Sequence, residues 1–180
     1  RTRTLAFMAG NRDFLVGPEM LADCGATALA DPCILQAAGR AWVLAHGDAL
    51  CLSDQRYQAF RTLVRSAPWQ QAFLSRPLAE RIEQARAMRR ESMRLQQGGT
   101  ESAGDLDPEA CRQLLRRARA GTLIHGHTHR PATHELGDGL SREVLSDWDL
   151  DDESAPRAEV LRLTPDGRLQ RLSPAAACAA

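Results

Sequence analysis

The chain has 180 residues, of which 43% are hydrophobic and 26% are charged, and its 23 basic residues balance its 23 acidic residues. This composition excludes a disordered chain, a collagen-like chain and a membrane-embedded bundle, and the balanced charge gives no general attraction to nucleic acid or anionic lipid. The length suits one domain or a piece of a slightly larger one. All basic residues are arginines and Asn11 is the only asparagine, which makes Asn11 a candidate for a specific role.

The first predicted element is a strand over residues 5–9, which runs into Gly10-Asn11. A strand that leads straight into a polar loop usually follows earlier strands, so we expect the chain to be an N-terminally truncated form. A short helix is predicted over residues 14–24, with Gly25 as its C-cap. Two strands joined across a Gly-Arg pair are then predicted over residues 33–36 and 41–45.

The middle of the chain is predicted to be helical. Ser53 or Asp54 can cap a helix that ends near residue 65. Two prolines divide the next stretch into a short helix and a long arginine-rich helix over residues 78–97. After a loop, Asp107 and Pro108 open a helix that runs to residue 120.

The remainder is predicted to be β structure. A strand over residues 122–124 leads into a cluster of histidines, and strands over residues 132–136 and 142–145 follow. A hairpin is predicted over residues 159–172, with its turn at Pro165-Asp166-Gly167. Residues 174–180 have no structure-forming signal and are predicted to be an unstructured tail. The whole pattern predicts an α/β fold with a mixed sheet and polar loops at strand ends, where α/β sheets place their sites.

Four of the five histidines lie in two of these strand-end loops. His125, His127 and His129 alternate, and on an extended segment two such imidazoles would point the same way and converge on one metal. His46 follows the strand over residues 41–45, and the amide oxygen of Asn11 could also bind a hard cation. The alternative is that these are loop histidines hydrogen-bonded to the backbone.

The order of the three motifs is more specific than any one of them. Strands precede Gly10-Asn11-Arg12-Asp13, His46-Gly47-Asp48 and His125-Gly126-His127-Thr128-His129 in turn. This order resembles the C-terminal half of the calcineurin-like metallophosphoesterases, whose last three signatures are G-N-H-[DE], H and G-H-x-H. Arg12 in place of the usual His, together with the sequences around the three motifs, makes the chain similar to the UDP-2,3-diacylglucosamine diphosphatase family.

The resemblance implies a metallophosphoesterase β-sandwich flanked by helices, with its first strands missing and a helical insertion over about residues 53–97. Residues 1–173 would be the C-terminal part of a single domain. Asn11, His46 and His127 would bind one of two Mn²⁺ ions, and His129 the other. Arg12 would face the pyrophosphate, and His125 would support the metal site from outside it. The substrate contacts implied by the resemblance are Asn11, Arg12, Asp54, Ser92, Gln96, Gly99 and His127.

The chain departs from the family in three places. It contains no D-x-H motif and no earlier G-D strand end, which supply the remaining ligands, so two-metal binding by this chain is open. Ala9 stands where the family usually has His. Residues 93–99 lack the Asn and Lys that help to hold substrate.

The implied activity is hydrolysis of UDP-2,3-diacylglucosamine to UMP and 2,3-diacylglucosamine 1-phosphate in lipid A synthesis, by two-metal catalysis. The implied location is the cytoplasmic face of the bacterial inner membrane, with the helical insertion either against lipid or as a solvated cap, and no protein partner is inferred. The alternatives are another nucleotide pyrophosphatase or phosphodiesterase of the superfamily, and a non-catalytic remnant. Five scattered cysteines without a C-x-x-C pair make a zinc module the least favoured interpretation, and balanced charge argues against nucleic acid.

Overall fold

A computed structural model describes residues 3–97, 104–151 and 156–179, with the backbone alone at residues 92, 93 and 95–97. Two compact units are present. The first, the sheet unit, consists of Arg1–Leu50 and Leu106–Ala180, and the second, the helical unit, consists of Cys51–Asp105. The helical unit includes all of the predicted insertion over residues 53–97.

The described elements follow one another in an order that mixes strands and helices. The strands are β1 (Leu5–Met8), β2 (Ala26–Leu29), β3 (Cys33–Ala37), β4 (Arg40–Ala45), β5 (Thr122–His125), β6 (Thr133–Gly137), β7 (Leu140–Val144), β8 (Val160–Leu163) and β9 (Leu169–Leu172). The helices are α1 (Pro18–Asp23), α2 (Gln55–Val64), α3 (Ala67–Leu74), α4 (Leu78–Gln97), α5 (Pro108–Ala118) and α6 (Pro174–Cys178).

The centre of the sheet unit is a mixed sheet with strand order β3-β4-β5-β7-β6. Its three middle strands are parallel, and the two outer strands are antiparallel to their neighbours. The register places Ala45 beside His125, and His125 beside Val144. The carboxyl ends of β4, β5 and β7 therefore meet at one edge of the sheet, and the loops after them are brought together. The predicted α/β class with a mixed sheet is confirmed.

Local sequence explains the connections of this unit. Ala38 and Gly39 join β3 to β4 with φ values of +53° and +73°, the paired positive values of the two-residue turns that hairpins prefer. β1 and β2 form a separate parallel pair, and β8 and β9 form the predicted hairpin. No strand was predicted for β2, whose four residues Ala-Thr-Ala-Leu are too short to show a clear period.

Helix α5 covers the central sheet and supplies much of its core. It packs against β4, β5 and β7. The side chain of Asp107 accepts a hydrogen bond from the Ala110 amide at 2.7 Å and caps the helix, as predicted. Cys111 and Leu115 on its inner face have no exposed surface. The three middle strands also contribute buried side chains, those of Val43, Leu123 and Val144. This packing holds the strands from which the site loops leave.

The helices of the helical unit begin and end close to the predicted residues. Asp54, one of the two predicted caps, accepts a hydrogen bond from the Tyr57 amide at 2.9 Å and begins α2. Helix α4 spans the predicted residues 78–97. Val64 and Phe73 are buried, and the ring of Phe73 stacks on Trp69 at 5.0 Å. None of the helices in the described ranges combines the length and apolar character that crossing a bilayer requires.

Two predicted segments differ from the structure. The helix predicted over residues 14–24 is shorter, because α1 begins at Pro18, a residue suited to the first helical position. The tail predicted over residues 174–180 contains α6 instead. Ser173 caps that helix through the Ala176 amide at 3.2 Å, and Pro174 occupies its first turn. The serine-proline pair is the local signal that the prediction missed.

Candidate metal centre

Three polar loops of the sheet unit leave strands at their carboxyl ends. The loop with Asn11 follows β1, the loop with His46 follows β4, and the loop with His127 and His129 follows β5. The Gly126 amide donates a hydrogen bond to the His46 carbonyl at 3.0 Å, which ties the second loop to the third. The sheet thus brings together two motifs that are 80 residues apart in the chain.

The first loop reaches His46 through its backbone. The Asn11 amide lies 3.3 Å from His46 Nε2 and donates to it, and Asn11 is half-buried. A Cβ atom on Gly10 would lie 2.9 Å from His46 Cε1, so only glycine allows this approach. The Asp31 carboxylate accepts a hydrogen bond from the His46 amide at 3.0 Å and so anchors the start of the second loop.

His127 completes the group through a tight turn. Its ring centroid lies 5.2 Å from that of His46, with the rings at 69°. The Thr128 amide donates to the Gly126 carbonyl at 2.8 Å, and His127 between them has a φ of +67°. These are features of a γ-turn in its rare positive-φ form. The expectation of an extended segment is therefore wrong, and His127 reaches His46 because the chain turns.

His129 lies in a different setting. Its φ is +53°, a second left-handed conformation in the same loop, and its Nδ1 is 3.9 Å from Asp147 Oδ2. Arg157 donates hydrogen bonds to Asp147 at 3.1 and 3.3 Å, and these bonds hold the pKa of the Asp147 carboxyl below its usual range. A charged carboxylate therefore faces His129. Residues with left-handed backbone cluster at functional sites, where the surrounding structure compensates their strain.

Two carboxylates that contact these loops, those of Asp31 and Asp147, were not predicted from the sequence. Asp31 follows β2, which was not predicted, and Asp147 follows β7. Both are polar residues just beyond a strand end, which is the signal that identified His46 and His127. Applying it to every strand would have found Asp147.

The donor chemistry of the loops fits a divalent metal. Imidazole nitrogens and an amide oxygen suit Mn²⁺ and similar ions, and His46, His127 and Asn11 come together at the sheet edge. Within residues 3–97, 104–151 and 156–179, however, no three His, Cys, Asp or Glu side chains converge as a metal-binding group. Among the described residues, the potential donors that come together are the two imidazoles, which lie beside the Asn11 backbone.

The chain is similar to curated bacterial proteins over most of its length. A protein from Chromobacterium violaceum is 50% identical over 145 residues, which are 80% of this chain and 61% of that protein. Proteins from Chromohalobacter salexigens and Bordetella pertussis are 42% identical over 80% and 88% of this chain. All three are named UDP-2,3-diacylglucosamine hydrolase. The chain is a homologue of these hydrolases.

The similarity covers part of the length of each relative. The chain spans 60–62% of the length of these hydrolases, so it corresponds to part of each of them. A scan against protein-family models found no matching family. The relationship to the UDP-2,3-diacylglucosamine hydrolases therefore rests on direct similarity of sequence.

The predicted substrate-contacting residues of this hydrolase homologue lie in both units. Arg12 is exposed beside Asn11 in the sheet unit. Asp54 is half-buried in the helical unit, where it caps α2. Ser92 and Gln96 belong to α4, but their side chains are outside the described part of the structure, and Gly99 lies outside the described residues.

Proposed function

We propose that the chain is part of a hydrolase that cleaves the pyrophosphate bond of UDP-2,3-diacylglucosamine, giving UMP and 2,3-diacylglucosamine 1-phosphate for lipid A synthesis. The observation that carries the proposal is the meeting of His46 and His127, with ring centroids 5.2 Å apart, beside the Asn11 backbone. The names of relatives that are 42–50% identical support the substrate. The mixed α/β sheet is compatible with a calcineurin-like sandwich that carries a helical insertion.

The proposed cofactor is a pair of Mn²⁺ ions in the complete site. Asn11, His46 and His127 would hold one ion, and His129 would hold the other. When bound, the metals would lower the pKa of a water molecule and neutralise charge on the phosphoryl oxygens. The chain's own part is to hold the loops that carry the imidazoles, through the Asp31 carboxylate and the Gly126 peptide.

Arg12 is proposed to bind the pyrophosphate. Its guanidinium is exposed on the residue next to Asn11, and it is a permanent cation whose planar fork suits two phosphate oxygens at once. A fixed positive charge at this place would stabilise charge that develops on the phosphate during cleavage. A histidine at this position would carry at most a partial charge at neutral pH.

The helical unit is proposed to receive the acylated end of the substrate, with Asp54, Ser92, Gln96 and Gly99 as contacts. Large apolar side chains on α2 and α4 support this proposal because they are exposed, among them Leu63, Leu78 and Ile82. Arginines on α4 are suited to an anionic lipid surface, so the proposed location is the inner face of the bacterial inner membrane. A solvated helical cap is the alternative for this unit.

The test is Mn²⁺-dependent release of UMP from UDP-2,3-diacylglucosamine. It compares the 180-residue chain with a version that carries an added upstream segment containing a D-x-H motif. We expect activity in the longer version, and we expect His127→Ala and Arg12→Gln to reduce it at least about 100-fold. Arg168→Gln, a change at an exposed arginine of the β8–β9 turn, is the control and should keep full activity.

Two results would contradict the proposal. Cleavage of a generic phosphodiester or of another nucleotide pyrophosphate, without release of UMP from this substrate, would indicate a different member of the superfamily. No cleavage of any of these substrates by either version would favour a non-catalytic remnant, in agreement with the incomplete ligand group among the described residues.

A further inference from the structure

Two buried polar residues, His125 and Arg142, lie next to the turn that carries His127. His125 ends β5 and has no exposed surface, and Arg142 on β7 is 5% exposed. The strands are parallel neighbours, with Leu123 in register with Arg142. Since residues two apart share a face of the sheet, His125 lies on the same face as this pair. A polar side chain is costly to bury unless it makes hydrogen bonds, so the hydrogen bonds of His125 indicate its role.

The bonds of His125 determine where its proton lies. Arg142 Nη1 is 3.5 Å from His125 Nε2, and a guanidinium can only donate, so Nε2 accepts. The other ring nitrogen, Nδ1, is 2.9 Å from the Gly126 carbonyl, which can only accept. The two contacts are satisfied together by the neutral imidazole with its proton on Nδ1. The Gly126 carbonyl calls for the proton on Nδ1, and the guanidinium of Arg142, 3.5 Å from Nε2, favours an unprotonated Nε2.

The Gly126 peptide is the point where these bonds reach the candidate metal centre. Its carbonyl also accepts from the Thr128 amide at 2.8 Å and closes the turn around His127, and its amide donates to the His46 carbonyl at 3.0 Å. A Cβ atom on Gly47, which has a φ of +113°, would lie 3.1 Å from His125 Nδ1. The absence of a side chain at Gly47 leaves room for the His125 imidazole next to the loop that carries His46.

We propose that His125, held as the Nδ1–H form by Arg142, is a positioning residue that fixes the Gly126 peptide and thereby presents His46 and His127 together. His125 touches neither substrate nor metal and acts through the backbone of the turn. The hydrogen-bonded order of the turn runs from Arg142 to His125 and on to the Gly126 carbonyl, which also accepts from the Thr128 amide. The importance of these hydrogen bonds for catalysis rests on the proposed function, whereas their presence in the structure does not depend on it.

The first test is the tautomer of His125 in the 180-residue chain at neutral pH, measured by long-range ¹H–¹⁵N correlation of the imidazole. The expected result is a protonated Nδ1 and an unprotonated Nε2. A proton on Nε2, with or without one on Nδ1, would overturn the proposal, since Nε2 could then not accept from Arg142. No substitution is needed, so this test does not depend on whether a variant folds.

The second test separates the two ring nitrogens by substitution. His125→Asn keeps an N–H near the place of Nδ1, whereas His125→Gln carries its N–H near the place of Nε2. Exchange of the Thr128 amide with solvent should be within about threefold of the original chain for His125→Asn and about tenfold faster for His125→Gln. Equal exchange in the two variants, fast or slow, would contradict the assigned role of Nδ1.

Mn²⁺ titration of the same variants, made in the longer version that carries the D-x-H segment and followed by calorimetry, connects the turn to the metal. We expect His125→Gln to weaken binding about 10-fold to 100-fold, and His125→Asn to weaken it much less. Equal Mn²⁺ affinity in both variants would show that the turn does not position the ligands. If none of the chains binds Mn²⁺ but the tautomer and exchange results hold, the proposed function fails while the hydrogen-bonded order of the turn stands.

Discussion

The sheet unit and the helical unit differ in their buried polar side chains, whereas both units expose large apolar ones. In the sheet unit, polar residues are buried and fixed by hydrogen bonds, as with His125 and Arg142. In the helical unit, large apolar residues such as Leu63 and Leu78 are exposed. Precise placement of a few polar atoms suits chemistry, and an apolar surface suits contact with another apolar surface. Matched substitutions, one in each unit, test this difference.

The largest difference is expected for leucine-to-alanine changes. Leu115 of α5 has no exposed surface, whereas Leu78 of α4 is 62% exposed. Leu115→Ala should lower the free energy of unfolding by about 2–5 kcal/mol, because it removes buried apolar surface and leaves a cavity. Leu78→Ala should change it by less than about 0.5 kcal/mol. Urea denaturation followed by circular dichroism measures both, and a cost above 2 kcal/mol for Leu78→Ala would mean that its surface is covered.

A smaller effect is expected at the two helix caps. Asp107 caps α5 through the Ala110 amide at 2.7 Å, and Asp54 caps α2 through the Tyr57 amide at 2.9 Å. Replacing either by alanine should lower stability by about 1 kcal/mol, and replacing either by asparagine should change it little, because asparagine caps equally well. Thermal denaturation of the four variants tests this expectation.

The asparagine variants also separate capping from substrate binding. If Asp54 contacts substrate as proposed, Asp54→Asn should raise KM for UDP-2,3-diacylglucosamine in the active version of the protein, while Asp107→Asn leaves KM unchanged. The two variants keep their helices, so the difference reports the carboxylate alone. An unchanged KM for Asp54→Asn would limit Asp54 to its role in α2.

The smallest effects concern two exposed ion pairs. Arg112 donates to Glu109 in α5 at 2.7 Å, and Arg94 donates to Glu91 in α4 at 2.8 and 2.9 Å. In each pair the arginine is the main cause of a glutamate pKa below its usual range. A lowered folded-state pKa contributes stability above the unfolded pKa of about 4.3, and the contribution is lost as pH falls through the folded pKa.

Carboxyl ¹³C titrations of Arg112→Gln and Arg94→Gln measure these shifts. Each substitution should raise the pKa of its own glutamate and leave the other unchanged. Glu109 also accepts from Gln113 at 3.4 Å and lies 3.8 Å from Arg116, so its pKa should recover less completely than that of Glu91. Both pairs are exposed, and added salt should shrink both shifts. An equal rise in both glutamates after either substitution would contradict this local cause.

Elements with local signals could be predicted from the amino-acid sequence alone. Caps and prolines set the ends of α2, α4 and α5, the turn residues predicted the β8–β9 hairpin, and the order of three strand-end motifs predicted a hydrolase relative. The sequence placed Asn11, His46 and His127 correctly as residues that follow strands. These features depend on neighbouring residues or on one residue type at one position, which a sequence displays directly.

The way in which the histidines meet depends on contacts between distant parts of the chain. The prediction of an extended segment at His127 was wrong, because the chain turns there, with a φ of +67° at His127 and a hydrogen bond from the Thr128 amide to the Gly126 carbonyl. The contact between Arg142 and His125 depends on the β5–β7 register, which joins residues 17 positions apart. Strand β2 and the role of Asp31 were missed for a similar reason, since pairing with β1 defines the strand. Register and burial are properties of the whole fold, and they decide which nitrogen of His125 carries the proton.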